Sequence, residues 1–227
     1  MCFSATASFT AGAVLLGLGV VSLRSVPTPR QIPFAAIPLL FAIQQLSEGV
    51  VWLTFRYGAP QLGAIAVHIY VLFAFVLWPA YVPWTAWLVE PAGPRRRLLS
   101  ATVVVGTGVA AWLMAALVLH PVVAVVSRHH LQYLSAPFLG IGATALYLVA
   151  TTASLLLSSR PKVRAFGILV LVAFAAAYGF YATWFISVWC FFAGIVSAAV
   201  CLQLSIQSRG GFSSVIGMRQ PRKISWA

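Results

Sequence analysis

The sequence predicts an all-α membrane protein, a bundle of seven transmembrane helices with its N-terminus outside and its C-terminus in the cytoplasm. Three observations carry this. Of the 227 residues, 62% are hydrophobic and only 7% charged, whereas a soluble domain carries about 25% charged residues. Such a chain cannot cover a water-facing surface. Its apolar runs match the roughly 20 residues that a helix needs to cross a ~30 Å hydrocarbon core. The segments between the runs alternate in basic charge, as an odd number of spans demands.

The expected spans are 8–23, 33–55, 62–88, 98–119, 132–157, 163–182 and 184–207, each helical because lipid cannot satisfy open backbone. They form one domain, 1–207, followed by a polar, basic tail at 208–227. The N-terminus lacks a basic segment before its first apolar run, so the first span is expected to be a retained helix. Arg24, Arg30, Arg95, Arg96, Arg97, Arg160, Lys162, Arg164 and the tail's Arg209, Arg219, Arg222 and Lys223 fall on one side. Of the 14 basic residues only Arg56 and Arg128 fall on the other, leaving twelve. Six or eight spans would scramble that bias, which orients the protein in a cytoplasmic membrane.

The net charge of +12 does not indicate nucleic acid, because the basic residues lie between spans and not along one surface. They suit anionic lipid headgroups. Ala13 with Gly17, Gly106 with Ala110 and Gly194 with Ala198 have the spacing of close helix contacts. Pro79 and Pro83, in WPAYVPW, are expected to kink the third span.

Only two residues are acidic, Glu48 and Glu90. Glu90 reads as a solvated loop charge near Arg95–Arg97. Glu48 lies inside the second span, ~10 Å below its outer end at 1.5 Å per residue. An ionisable group there costs roughly 2.5–3.5 kcal/mol on insertion scales, so it should face the interior and have a function. Gln44, Glu48 and Trp52 share one helix face by their i, i+4, i+8 spacing, and Gln45 lies beside it. His68 in the third span and Cys190 in the seventh stand at a similar depth. Cys2, His120, His129, His130, Tyr178 and Tyr181 fall on the same outer side.

These residues suggest an outward-opening pocket lined by Glu48, Gln44, Gln45, His68, Trp52 and Tyr178. Cys2, Glu48, His68 and Cys190 are candidate metal ligands, of types that suit zinc or copper. No short-range HxxxH or CxxC pair is present, so a metal site depends on tertiary placement. Plainer readings stand beside each residue: Cys190 and Cys201 as small packing groups, a His68–Glu48 pair as an interhelical hydrogen bond, and His129 and His130 as solvent-facing.

Several chemistries are excluded or disfavoured. The seventh span has no lysine for a retinal Schiff base. There is no aspartate and no helical histidine pair for the zinc hydrolases of the ceramidase type. Only His68 qualifies as an intramembrane haem ligand, and P-loop, GxSxG and HExxH motifs are absent. Three functions remain: a binding protein for a metal ion or small ligand, acting as sensor, carrier or accessory subunit; an outer-leaflet enzyme with a Cys2 or Cys190 nucleophile and a His68–Glu48 base; and a structural subunit, as a homo-oligomer or within a larger membrane complex.

The opening Met1-Cys2-Phe3-Ser4-Ala5, the stretch Gln44 to Gly49 with Trp52, the Trp78-Pro79 pair and the block Ser187 to Phe192 together resemble a group of uncharacterised bacterial integral membrane proteins that begin MCFSA. The resemblance runs through the seventh span and leaves the tail uncovered. It implies a bacterial membrane protein of no known activity, and it places Cys2, Glu48 and Cys190 in shared motifs.

Overall fold

A computed structural model describes residues 4–127, 130–134, 141–181, 189 and 192–197. Cys2, Arg128, His129, Cys190, Cys201, Ala198 and the 208–227 tail lie outside the described residues.

The chain is mostly helical. Helix α1 (Ala5–Arg24) starts at Ser4, whose hydroxyl accepts a hydrogen bond from the Ala7 N–H at 3.2 Å and satisfies one of the first-turn donors. It buries one stripe, Ser8, Gly12, Leu15, Gly19 and Ser22. That stripe packs antiparallel along α3 (Ile37–Tyr57). A methyl group at Gly19 would come within 2.9 Å of the Leu39 backbone nitrogen, and one at Gly12 within 2.8 Å of the Leu46 side chain. Gly12 and Gly19 therefore carry this contact, while Ala13 and Gly17, the expected pair, face outward. The buried stripe follows a 3.5-residue repeat that a single four-residue spacing does not capture.

A short 3-10 turn (Pro29–Gln31) and α2 (Ile32–Ala35) lead into α3. Gly58, with φ of 64°, ends α3 and donates to the Thr54 carbonyl, a left-handed position that glycine adopts without strain. The next span is one continuous rod in three pieces: α4 (Pro60–Val71), a π turn (Leu72–Leu77) and α5 (Trp78–Val89).

The prolines explain the π turn. Trp78 donates its N–H five residues back, to the Phe73 carbonyl. Pro79 has no N–H to serve the next acceptor in that register, the Ala74 carbonyl. The Tyr147 hydroxyl serves it instead, at 2.6 Å. Pro83 likewise leaves the Pro79 carbonyl without its helical donor, and Gly106 of α6 (Pro94–Leu119) lies directly against that oxygen. A side chain at this position would overlap it.

Between α6 and α7 (Ile141–Leu157) the chain forms a β-hairpin, β1 (Val123–Ser127) and β2 (His130–Leu134), paired antiparallel from Val123↔Leu134 to Ser127↔His130. Residues 132–134 thus belong to a strand, which corrects the expected helix over 132–157. The cause is local: Val122, Val123, Val125 and Val126 favour extended backbone, and pairing satisfies the polar groups without a helix. Counting 1.5 Å per residue from the Gly106–Pro79 and Tyr147–Ala74 contacts, α6 ends and α7 begins about level with His68. The hairpin fills the end of the bundle where those two helices stop. Leu131 is fully buried there, and Tyr133 stacks on Tyr70 at 4.5 Å and 6°.

Helix α8 (Pro161–Tyr181) returns along α7, and residues 192–197 are helical, with Gly194 against Leu15 and Phe41. Among the described residues, five helical segments are long and apolar enough to cross a membrane: Ala5–Arg24, Pro29–Tyr57, Pro60–Val89, Pro94–Leu119 and Pro161–Gly179. The apolar part of α7, Thr144–Leu157, is shorter. Arg24, Arg30, Arg95–Arg97, Arg160, Lys162 and Arg164 gather at one end, hereafter the basic end, and Arg56 lies at the hairpin end.

Glu90 corrects a second expectation. It is 3% exposed and ties the α5 terminus to the α7–α8 loop. Ser158 donates to it at 2.7 Å, and the Ser159 N–H at 3.0 and 3.1 Å to its two oxygens. Arg160 donates to the neighbouring Val89 carbonyl. Burial raises the Glu90 pKa, but the hydrogen bonds from Ser159 and Ser158 and the charge of Arg160 outweigh it and hold the carboxyl below its ordinary value.

Candidate functional site

Helix α3 runs through the middle of the bundle, covered by α1 on one side and α4 on the other. Its face between those neighbours carries Ile37, Phe41, Gln44, Gln45, Glu48 and Trp52 within an arc of about 100°. Ile37 and Phe41 lie toward the basic end and the polar residues toward the hairpin end. Gln44, Gln45 and Glu48 are each 0% exposed, and Trp52 is half-buried.

The polar groups are unevenly served. The Trp78 indole N–H donates to Gln44 Oε1 at 2.8 Å. Trp78 also stacks on Phe41 at 3.9 Å and 20°, which fixes the indole plane. Gln44 Nε2, both amide atoms of Gln45, Trp52 Nε1 and Ser8 Oγ find no hydrogen-bond partner among the described residues. Ser8 is 1% exposed, and the Gly12–Leu46 contact puts it about level with Val50 by helix rise. The Gly63–Thr54 contact likewise puts Glu48 about level with Tyr70, beneath the hairpin.

The two ends of this face differ in chemistry. Toward the basic end, Ile37, Phe41, Trp78, Val82, Tyr147, Thr151, Leu155, Phe166, Val170, Trp189 and Ala193 line a partly open apolar cavity of about 30 Å³. Trp78 belongs to both halves, its ring lining the cavity and its N–H binding Gln44. None of Glu48, Gln45, Trp52 or His68 lines that cavity.

Of the expected site residues, the structure brings Gln44, Gln45, Glu48 and Trp52 onto one interior face. It does not bring His68 or Tyr178 there. His68 is exposed, its ring nitrogen 2.6 Å from the Ala64 carbonyl of its own helix. Tyr178 is 51% exposed and stacks on Phe174. Both have suitable depth, but helix rotation turns them away. His120 is exposed, whereas His130 is buried in β2 and not solvent-facing as expected. Among the described residues no three of His, Cys, Asp and Glu come together. Two of the four expected metal ligands, Cys2 and Cys190, lie outside them.

Sequence reasoning missed Trp78 as the partner of Gln44, Ser8 as a buried polar neighbour, and the Tyr70–Tyr133 stack. Ser8 had a usable signal: it begins the stripe that continues through Gly12, Leu15 and Gly19. The other two depend on the π turn and the hairpin, which the sequence pattern does not announce.

Comparison with curated proteins and with solved structures finds no match. A model described as a family of unknown function (DUF6629) matches residues 1–213, and the chain belongs to that family.

Proposed function

We propose that the protein is a seven-span protein of the bacterial cytoplasmic membrane, N-terminus outside, that binds a metal ion or small ligand on the interior face of α3 around Glu48 and Gln45. It acts as a sensor, carrier or accessory subunit. The observation that carries this reading is Gln45. A fully buried side-chain amide with neither atom hydrogen-bonded among the described residues costs about 1–3 kcal/mol. A ligand that both donates and accepts hydrogen bonds would recover that cost. Glu48 beside it extends the acceptor set, so a cation or a hydroxyl- or amine-bearing molecule is favoured.

The test is the content of the detergent-purified protein. Metals and extracted small molecules are measured by mass spectrometry in the wild type and in Glu48→Gln. A stoichiometric species present in the wild type and lost in the variant, at unchanged helix content, is the expected result. Identical contents in the two proteins would sink the reading. A metal ion as that species would bring Cys2 and Cys190 in as ligands, with zinc or copper the fitting ions.

A further inference from the structure

We infer that the ligand is a single-chain amphiphile drawn from the membrane, its polar head at Gln45 and Glu48 and its hydrocarbon end in the cavity beyond Trp78. This rests on the interior-binding reading above and names the class of ligand.

The argument starts from α3. Its interior face is apolar at Ile37 and Phe41, then polar at Gln44, Gln45 and Glu48. A ligand lying along it must change character in the same order. The cavity end offers no free hydrogen-bond donor, and its exposed lining is almost wholly carbon. The Thr151 hydroxyl already donates to the Tyr147 carbonyl at 3.0 Å, and the Tyr147 hydroxyl to the Ala74 carbonyl at 2.6 Å. Whatever occupies that end is therefore hydrocarbon. A volume of about 30 Å³ suits the end of a single chain. The polar end is the reverse, with Gln44 Nε2 and both amide atoms of Gln45 still open among the described residues. Gln45 and Ile37 are ~12 Å apart along the helix axis, so a medium-length alkyl chain is long enough to reach both ends, with the stacked Phe41 and Trp78 rings parting to admit it.

The setting favours the same class. A molecule with a free hydrocarbon chain partitions into the bilayer at about 0.8 kcal/mol per buried methylene. It would reach the bundle sideways between helices, without crossing water. A purely polar solute would leave the cavity empty, and a plain alkane would leave Gln45 unserved.

The experiment uses decanol carrying a terminal diazirine, irradiated with the full-length protein in two-chain phospholipid vesicles and mapped by mass spectrometry. Saturable cross-linking to the α5, α7 and α8 peptides bearing Val82, Thr151 and Val170 is expected. It should be competed by decanol and not by decane. Filling the cavity from either of two helices, with Val82→Phe or Val170→Phe, should lower labelling about tenfold, and Gln45→Leu should do the same from the other end. Labelling spread over outward residues such as Val104 and Val118, indifferent to all three substitutions, would overturn the proposal. Cavity labelling lost in the filling variants but unchanged in Gln45→Leu would overturn the amphiphile and leave a bare apolar pocket. A species lost in Glu48→Gln yet retained in Val170→Phe would preserve interior binding while removing the hydrocarbon end.

Discussion

At the residue scale, Gln45 separates a binding role from a structural one. A buried amide that holds the fold together costs stability when removed. One kept for a ligand costs stability while it stays, because its desolvation is uncompensated. Gln45→Leu is therefore expected to leave the ligand-free protein as stable as the wild type or about 1 kcal/mol more so, as read by thermal unfolding in detergent. A loss of 2 kcal/mol or more would mark Gln45 as part of the scaffold. This much of the site was legible in the sequence, because the i, i+4 spacing of Gln44, Glu48 and Trp52 needs no knowledge of neighbours. His68 and Tyr178 were not. Depth follows from counting residues, but which way a side chain faces depends on how its helix is rotated against the others.

At the scale of elements, the α5–α6 contact hangs on Gly106. The carbonyl that Pro83 strands on Pro79 leaves no room for a Cβ. Gly106→Ala should push the helices apart and destabilise the protein by about 1–3 kcal/mol, whereas Gly108→Ala, with open space around it, should be nearly silent. The Glu90 clasp makes a pH prediction. Its folded pKa lies below the unfolded one, so the native state binds fewer protons. The stabilisation is complete above the unfolded value of ~4.3 and is lost as pH falls through the folded value. Thermal unfolding followed downward from pH 6 should show that loss, and Glu90→Gln should flatten it while lowering stability by about 2 kcal/mol at pH 6. Neither the clasp nor the hairpin was legible beforehand. Glu90 looks like a loop charge until the α7–α8 turn folds over it, and the hairpin's valine-rich strand falls in the 120–131 interval between expected spans, where an apolar run too short to cross a membrane reads as loop.

For the whole molecule, the helical class followed from composition. The gathering of Arg95–Arg97, Arg160, Lys162 and Arg164 at one end agrees with the side assigned by charge. The orientation itself is checked by labelling. On a cysteine-free background, Tyr57→Cys, at a position 71% exposed, should react with a membrane-impermeant maleimide added to intact cells, and Arg96→Cys only after lysis. The reverse pattern would invert the protein and put the polar face of α3 at the cytoplasmic side.

The π turn at Leu72–Leu77 has a consequence of its own. A single extra residue in the coil sets the phase of everything after it, so the rod is two helices with separate angular references joined by one adapter. The first reference aims Tyr70 at the hairpin, and the second aims Trp78 at Gln44. Winding the same residues as an unbroken α-helix would improve its hydrogen bonding. It would also swing α5 by about 100° relative to α4, turning Trp78 off Gln44 and Pro79 off Gly106. The better helix would belong to a worse protein.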